Sequence, residues 1–129
     1  TGFRSFFPLP SDGSACKRWR MLLRWMVRRE APDLGRWPQL SPASLILPLD
    51  THTSRISRFL GLTSRNDASG RTAAEVTAAL ATLSPEDPVR YDFALAHLGI
   101  SEGCKGYRDH SICSHCPLDK VCGAPLRVG

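Results

Sequence analysis

Four cysteines in the last quarter of the chain, Cys104, Cys113, Cys116 and Cys122 in the spacing Cys-x8-Cys-x2-Cys-x5-Cys, constrain the molecule more than any other feature. One further cysteine, Cys16, stands far upstream. Such clustering is the opposite of a secreted disulfide framework, where cysteines are spread to staple distant loops. A Cys-x2-Cys turn lets two thiolates converge on one centre while loop N–H groups support their charge, and the outer two cysteines complete a four-thiolate set. Structural zinc commonly uses two such pairs, of which only one is present, and the common ferredoxin spacings do not match either. Spacing alone predicts a four-thiolate metal site and leaves zinc and a [4Fe-4S] cluster both open. His115 lies between two of the cysteines and is read as a loop histidine, since four thiolates already fill the set.

The rest of the chain reads as helix. Over residues 14–29, Ala15, Trp19, Leu22, Leu23, Met26 and Val27 recur at spacings of three and four, which predicts a helix with that stripe facing a core. Cys16 and Trp25 are read as core residues with them. Lys17, Arg20, Arg24 and Arg28 follow the same period on another side, as a solvated or phosphate-facing basic stripe. Residues 31–48 hold four prolines and predict a connecting loop, which runs through LILPL to Asp50. Asp50 is placed to cap a helix over 51–60 that buries Ile56, Phe59 and Leu60 and ends at Gly61.

Thr72 and Glu75 form a capping-box pattern for a helix reaching to about residue 83, with Val76 and Leu80 inward. Asp87 as cap and Pro88 at the first helical position predict a last helix, which buries Phe93, Val89, Leu95 and Ala96 and stops at a left-handed Gly99. No period-two alternation occurs, so the predicted class is all-α, with a helical domain over 1–99 and a cysteine loop over 100–129. The opening at Thr1, within the apolar stretch GFRSFFPLP, is read as a chain whose N-terminal part is missing.

No apolar run approaches the roughly 20 residues that span a bilayer, which predicts a soluble, cytoplasmic protein without a membrane partner. Seventeen basic against twelve acidic residues give a net charge of +5, compatible with a polyanionic partner.

Several stretches resemble known proteins. GSACKR, RWMVR, PLDTH and DPVRYDFAL are similar to a bacterial family without an assigned activity, over nearly the whole length. More distantly, Asp50-Thr51-His52 after its apolar approach, Arg55 in the following helix and four cysteines after a helix ending LAHLG resemble the endonuclease III-like helix-hairpin-helix DNA glycosylases. That resemblance spans residues 9–122 with one insertion at the proline-rich loop. It implies the C-terminal part of a helix-hairpin-helix fold and a monomer acting on DNA in repair. Cys104, Cys113, Cys116 and Cys122 are implied to hold a [4Fe-4S] cluster, their last two gaps matching and their first being x8 rather than x6. Asp50 matches the catalytic carboxylate that supports N-glycosidic bond cleavage. Lys17, four residues after Gly13, matches the amine that forms a Schiff base in members with lyase activity, although Ser14-Ala15 stands where a second hairpin glycine is usual. DNA-phosphate contacts are expected from Arg20, Arg24 and Arg28 on the helix and from Lys105, Arg108 and Lys120 in the cysteine loop. The competing expectation is a non-catalytic nucleic-acid-binding or interaction module with a structural iron–sulfur or zinc site.

Overall fold

The computed structural model describes residues 2–100 and 103–127, and it is helical. Among the described residues the elements are α1 (Gly2–Phe6), α2 (Lys17–Val27), α3 (Thr51–Phe59), α4 (Gly70–Ala81), α5 (Asp92–Ile100) and α6 (His110–Cys113). Single 3-10 turns stand at Pro10–Asp12, Pro42–Ser44 and Pro88–Tyr91. The all-α class is therefore as the sequence predicts. No helix among the described residues is long and apolar enough to cross a membrane.

The centre of the molecule is an extended segment rather than a helix. Leu45, Leu47 and Leu49, at the end of the proline-rich connection, sit in the core with Ile56 of α3, Ala73, Val76 and Leu80 of α4, and Leu95 of α5. A buried extended chain needs partners for its polar groups. Leu47 N–H donates to Thr77 Oγ1 at 2.9 Å, and that hydroxyl donates to Ala73 O at 2.6 Å, so α4 satisfies the strand-like segment through one threonine. Asp50 follows directly, which places it at the point where the core segment becomes α3.

α2 departs in part from the periodicity argument: Ala15 and Val27 are buried and Lys17 is exposed as expected, but much of the apolar stripe faces out. Ala15, Cys16 and Val27 are buried, but Trp19, Leu22, Leu23 and Trp25 are 37–43% exposed. The buried side of α2 carries Arg24 and Arg28 instead, at 8% and 7% exposure. Phe7 packs on Trp19 with ring centroids 5.0 Å apart, and α1 contributes no buried residue, so the apolar stripe lies on the outside.

Smaller differences follow from local chemistry. Ser69, not Thr72, caps α4, its Oγ accepting from Thr72 N–H at 3.3 Å, while the Thr72 hydroxyl bonds Asp67. Asp87 does not cap a helix with its side chain, because its carboxylate is taken by Arg28. Phe93 is 60% exposed and stacks on His97, whereas Val89 and Leu95 are buried as expected. Gly99 lies within α5 rather than ending it: a Cβ there would lie 3.4 Å from His52 Cβ and 3.5 Å from Ile56 Cδ1, so glycine lets α5 approach α3 closely. Gly61, at φ +74°, ends the turn after α3 as the sequence predicts.

Candidate functional site

Lys17 and Asp50 meet because two local structures place them. Leu9 N–H bonds Asp12 Oδ2 at 3.1 Å, and the short 3-10 turn ends at Gly13 in the left-handed conformation, φ +74°. The chain after Gly13 is clamped against the start of α4: Gly70 N–H donates to Gly13 O at 2.9 Å, and a Cβ on Gly70 would lie 2.8 Å from Ser14 O. Cys16, also left-handed at φ +48°, is held by its N–H to Ser14 Oγ at 3.0 Å and by its thiol to Pro8 O at 3.4 Å. Its reversal starts α2 at Lys17.

Asp50 is the cap of α3, as its position in the sequence predicts. Its Oδ1 accepts from Thr53 N–H at 2.8 Å and from Thr53 Oγ1 at 2.9 Å. That leaves Oδ2 free, and Lys17 Nζ lies 2.7 Å from it across 33 residues of sequence. The two side chains are 45% and 28% exposed, so solvent reaches the pair. Partial burial pushes the Asp50 carboxyl up, but the bonds from Lys17 and Thr53 outweigh it and hold it at about 2. The helix N-terminus favours the same ionised form. At neutral pH the site is a carboxylate fixed by its helix on one oxygen and an ammonium held on the other.

Arg24 and Arg28, expected to reach DNA phosphates, do not: both are spent inside the protein. Arg24 bonds Asp92 of α5 and, at 3.3 Å, Asp33. Arg28 bonds Asp33 at 2.5 Å and Asp87 at 2.9–3.1 Å. Buried guanidinium groups require such neutralisation, which is why this face turns inward. Arg20 lies between the two ends, half-buried; its Nη1 has no partner among the described residues, and burial lowers its pKa. Arg108 is also committed internally, bonding the Asp119 carboxylate and donating from Nη2 to the Asp119 and Cys122 carbonyls at 2.7 and 2.8 Å. Lys105 pairs with Asp109 at 2.8 Å and is exposed, as is Lys120.

Cys104, Cys113, Cys116 and Cys122 are all free thiols that line one cavity of about 60 Å³, walled by Ile56 and Phe59 of α3, by Leu60 just after it and by Leu98 of α5. Among the described residues no three His, Cys, Asp or Glu side chains are gathered tightly enough to hold a metal ion. His115 is exposed and bonded to Ser114 Oγ at 3.0 Å, outside this cavity's lining. Asp109 builds the turn between the first two cysteines: it caps α6 through Ser111 N–H at 3.0 Å and holds Lys105, which keeps its carboxyl at about 2. The loop is fastened to the helices by Cys104 N–H to Leu98 O at 3.3 Å and Gly123 N–H to Phe59 O at 2.8 Å. Arg55 of α3 adds a bond from Nη2 to Cys104 O at 3.3 Å.

Sequence reasoning missed the role of the acids. Asp87 reads as a helix cap, Asp92 stands in the DPVRYDFAL stretch without a role and Asp33 carries no signal; the one pointer to their pairing is an excess of arginine on a helix that also has to find a core. Neither a curated protein nor a solved structure matches the chain. Over residues 1–101, which take in the Lys17–Asp50 pair and end before the four clustered cysteines, the chain matches, and so belongs to, the family described as "Protein of unknown function (DUF2400)".

Proposed function

We propose that the chain is a DNA base-excision glycosylase with lyase capability that works in the cytoplasm, as a monomer, on damaged or mismatched bases. The observation that carries this reading is the 2.7 Å contact between Lys17 Nζ and Asp50 Oδ2, an amine and a carboxylate brought together by the first turns of two different helices. Both residues are those for which the resemblance to the helix-hairpin-helix glycosylases implies chemistry.

The geometry suits a division of labour. Asp50 is anchored through Oδ1, so Oδ2 can face cationic character as it develops on the deoxyribose when the base departs. Lys17 is a nucleophile only after its ammonium loses a proton; its nitrogen then bonds C1′ as the C1′–N bond to the base breaks. The leaving base keeps that bond's electron pair and takes up a proton. Loss of the second amine proton then lets the nitrogen lone pair form the C1′=N bond of the iminium as C1′–O4′ breaks, O4′ keeping that electron pair and taking up a proton. The base must first leave the duplex stack. Phosphate contacts fall to Lys105, Lys120 and Arg20, with Arg24 and Arg28 removed from that role by burial.

The four cysteines are proposed to hold a [4Fe-4S] cluster. Four thiols lining one apolar-walled cavity, fastened to α3 and α5, support that reading. Such a group supplies order to the basic loop rather than the bond-breaking chemistry.

The test is base release from lesion-bearing duplex DNA by the longest available form of the protein. Asp50→Asn keeps a capping oxygen and the fold but loses release by 100-fold or more. Release by Asp50→Asn at the wild-type rate would dismiss the carboxylate from the reaction.

A further inference from the structure

The C-terminal end of α2 borders a second cavity, which the Lys17–Asp50 chemistry does not use. It encloses about 250 Å³, and its lining includes Arg24 of α2, Arg28, Glu30 and Asp33 just after that helix, and Arg90 and Phe93 around the start of α5. Pockets for small molecules begin at roughly 300 Å³, so this one suits a single ring system rather than an extended ligand. The stretch DPVRYDFAL, which the proposed reaction leaves without a role, supplies one wall.

Three groups on the lining retain capacity for a ligand. Arg24 spends Nε on Asp33 and Nη1 on Asp92, while its Nη2 bonds nothing among the described residues and, unlike Arg20 Nη1, is not closed off from the space around it. Glu30 meets Arg28 Nη2 only at 3.5 Å, and its side chain is 70% exposed, so its carboxylate is free to accept. Phe93 is 60% exposed although its spacing predicts burial; its ring stacks on His97 and forms an aromatic wall of the cavity.

Charge argues against a simple anion. Arg24, Arg28 and Arg90 stand against Glu30 and Asp33 on the lining and against Asp87 and Asp92 behind it. With both signs present, the ligand that suits these walls is neutral and flat, accepts from a guanidinium on one edge and donates to a carboxylate on another. Guanine has that pattern: O6 and N7 accept from arginine, while N1–H and the N2 amino group donate. Adenine lacks both the O6 acceptor and the N2 donor.

We propose that this cavity binds a guanine base, stacked on Phe93, with its O6–N7 edge on Arg24 Nη2 and its N1–N2 edge on Glu30. The buried ion network is the floor of the site and stays intact when the base enters. The proposal requires no catalysis at Lys17 and Asp50 and stands apart from the glycosylase reading. A free guanine nucleotide and a guanine residue in DNA share this chemistry, so the experiment carries an arm for each.

The full chain is titrated calorimetrically with GMP, AMP, CMP, UMP and ribose 5-phosphate, and then with a short thymine oligonucleotide bearing one guanine beside its all-thymine control. GMP is expected to bind about ten-fold more tightly than the other four small molecules, and the guanine-bearing oligonucleotide more tightly than its control. Preference for guanine in either arm supports the proposal, and the tighter of the two guanine probes identifies the source. Glu30→Ala and Phe93→Ala, both at exposed positions, are expected to keep the helix content and to weaken guanine binding about ten-fold each. Arg24 is left in place because it holds the buried network. Absence of binding by both guanine probes, equal affinity for ribose 5-phosphate, equal affinity for the four nucleotides, or guanine binding unchanged in both variants would overturn the proposal.

Discussion

The two ends of α2 carry the same kind of residue and do opposite things with it. At the N-terminal end Lys17 meets a single carboxylate, half open to water. At the C-terminal end Arg24 and Arg28 are closed in with Asp33, Asp87 and Asp92. Near-complete burial makes the second arrangement structural, because removing either sign leaves an uncompensated charge. Incomplete burial makes the first cheap to disturb and therefore available to a substrate.

The largest effect that would break this contrast lies at the buried end. Arg24→Ala leaves Asp92 and Asp33 without a shared partner and is expected to cost about 3–5 kcal/mol in urea unfolding. Lys17→Ala, at the solvent-screened end, is expected to stay within about 1 kcal/mol. Equal costs at the two ends would erase the distinction.

Acid titration sharpens the same comparison. Burial pushes the Asp92 carboxyl up even with Arg24 beside it, whereas Asp50 is depressed to about 2. For Asp50 the sign is that of a lowered folded value: its stabilisation is present above an unfolded value near 3.8 and is lost as the pH falls through about 2. Asp92 has the opposite sign, with its contribution greatest where it is protonated and lost as the pH rises through its raised value. Carboxyl chemical shifts followed from pH 7 downward should show Asp92 protonating before Asp50; the reverse order would contradict the assignment of the two environments.

A smaller effect concerns DNA. Lys120→Ala is expected to weaken binding evenly across sequences and to lower the salt-dependence slope by about 1, since it is exposed and free to contact one phosphate. Arg108→Ala is expected instead to loosen the cysteine loop, because that side chain is bonded to two loop carbonyls.

What could be read in the sequence was what short-range chemistry fixes. Asp50 caps α3 because the capping geometry needs only residues 50–53, and the four cysteines share a cavity because their spacing is local. The orientation of α2 was not legible. Periodicity separates an apolar stripe from a basic one, yet which of them turns inward depends on Asp87 and Asp92, 59 residues from Arg28 and 68 from Arg24. Likewise, four prolines marked residues 31–48 as a connection, and that label hid a core segment at Leu45, Leu47 and Leu49. Lys17 was suggested by a resemblance, but its partner oxygen became visible only when Gly13 and Cys16 were seen to set the start of the helix.

The central claim is that Lys17 and Asp50 form a chemical pair rather than a surface ion pair. Borohydride trapping on DNA containing an abasic site tests it directly. The account predicts a covalent protein–DNA adduct with the wild type and none with Lys17→Ala, both proteins having the same helix content. An adduct of undiminished yield in Lys17→Ala, or none in a wild type that binds the DNA, would contradict it.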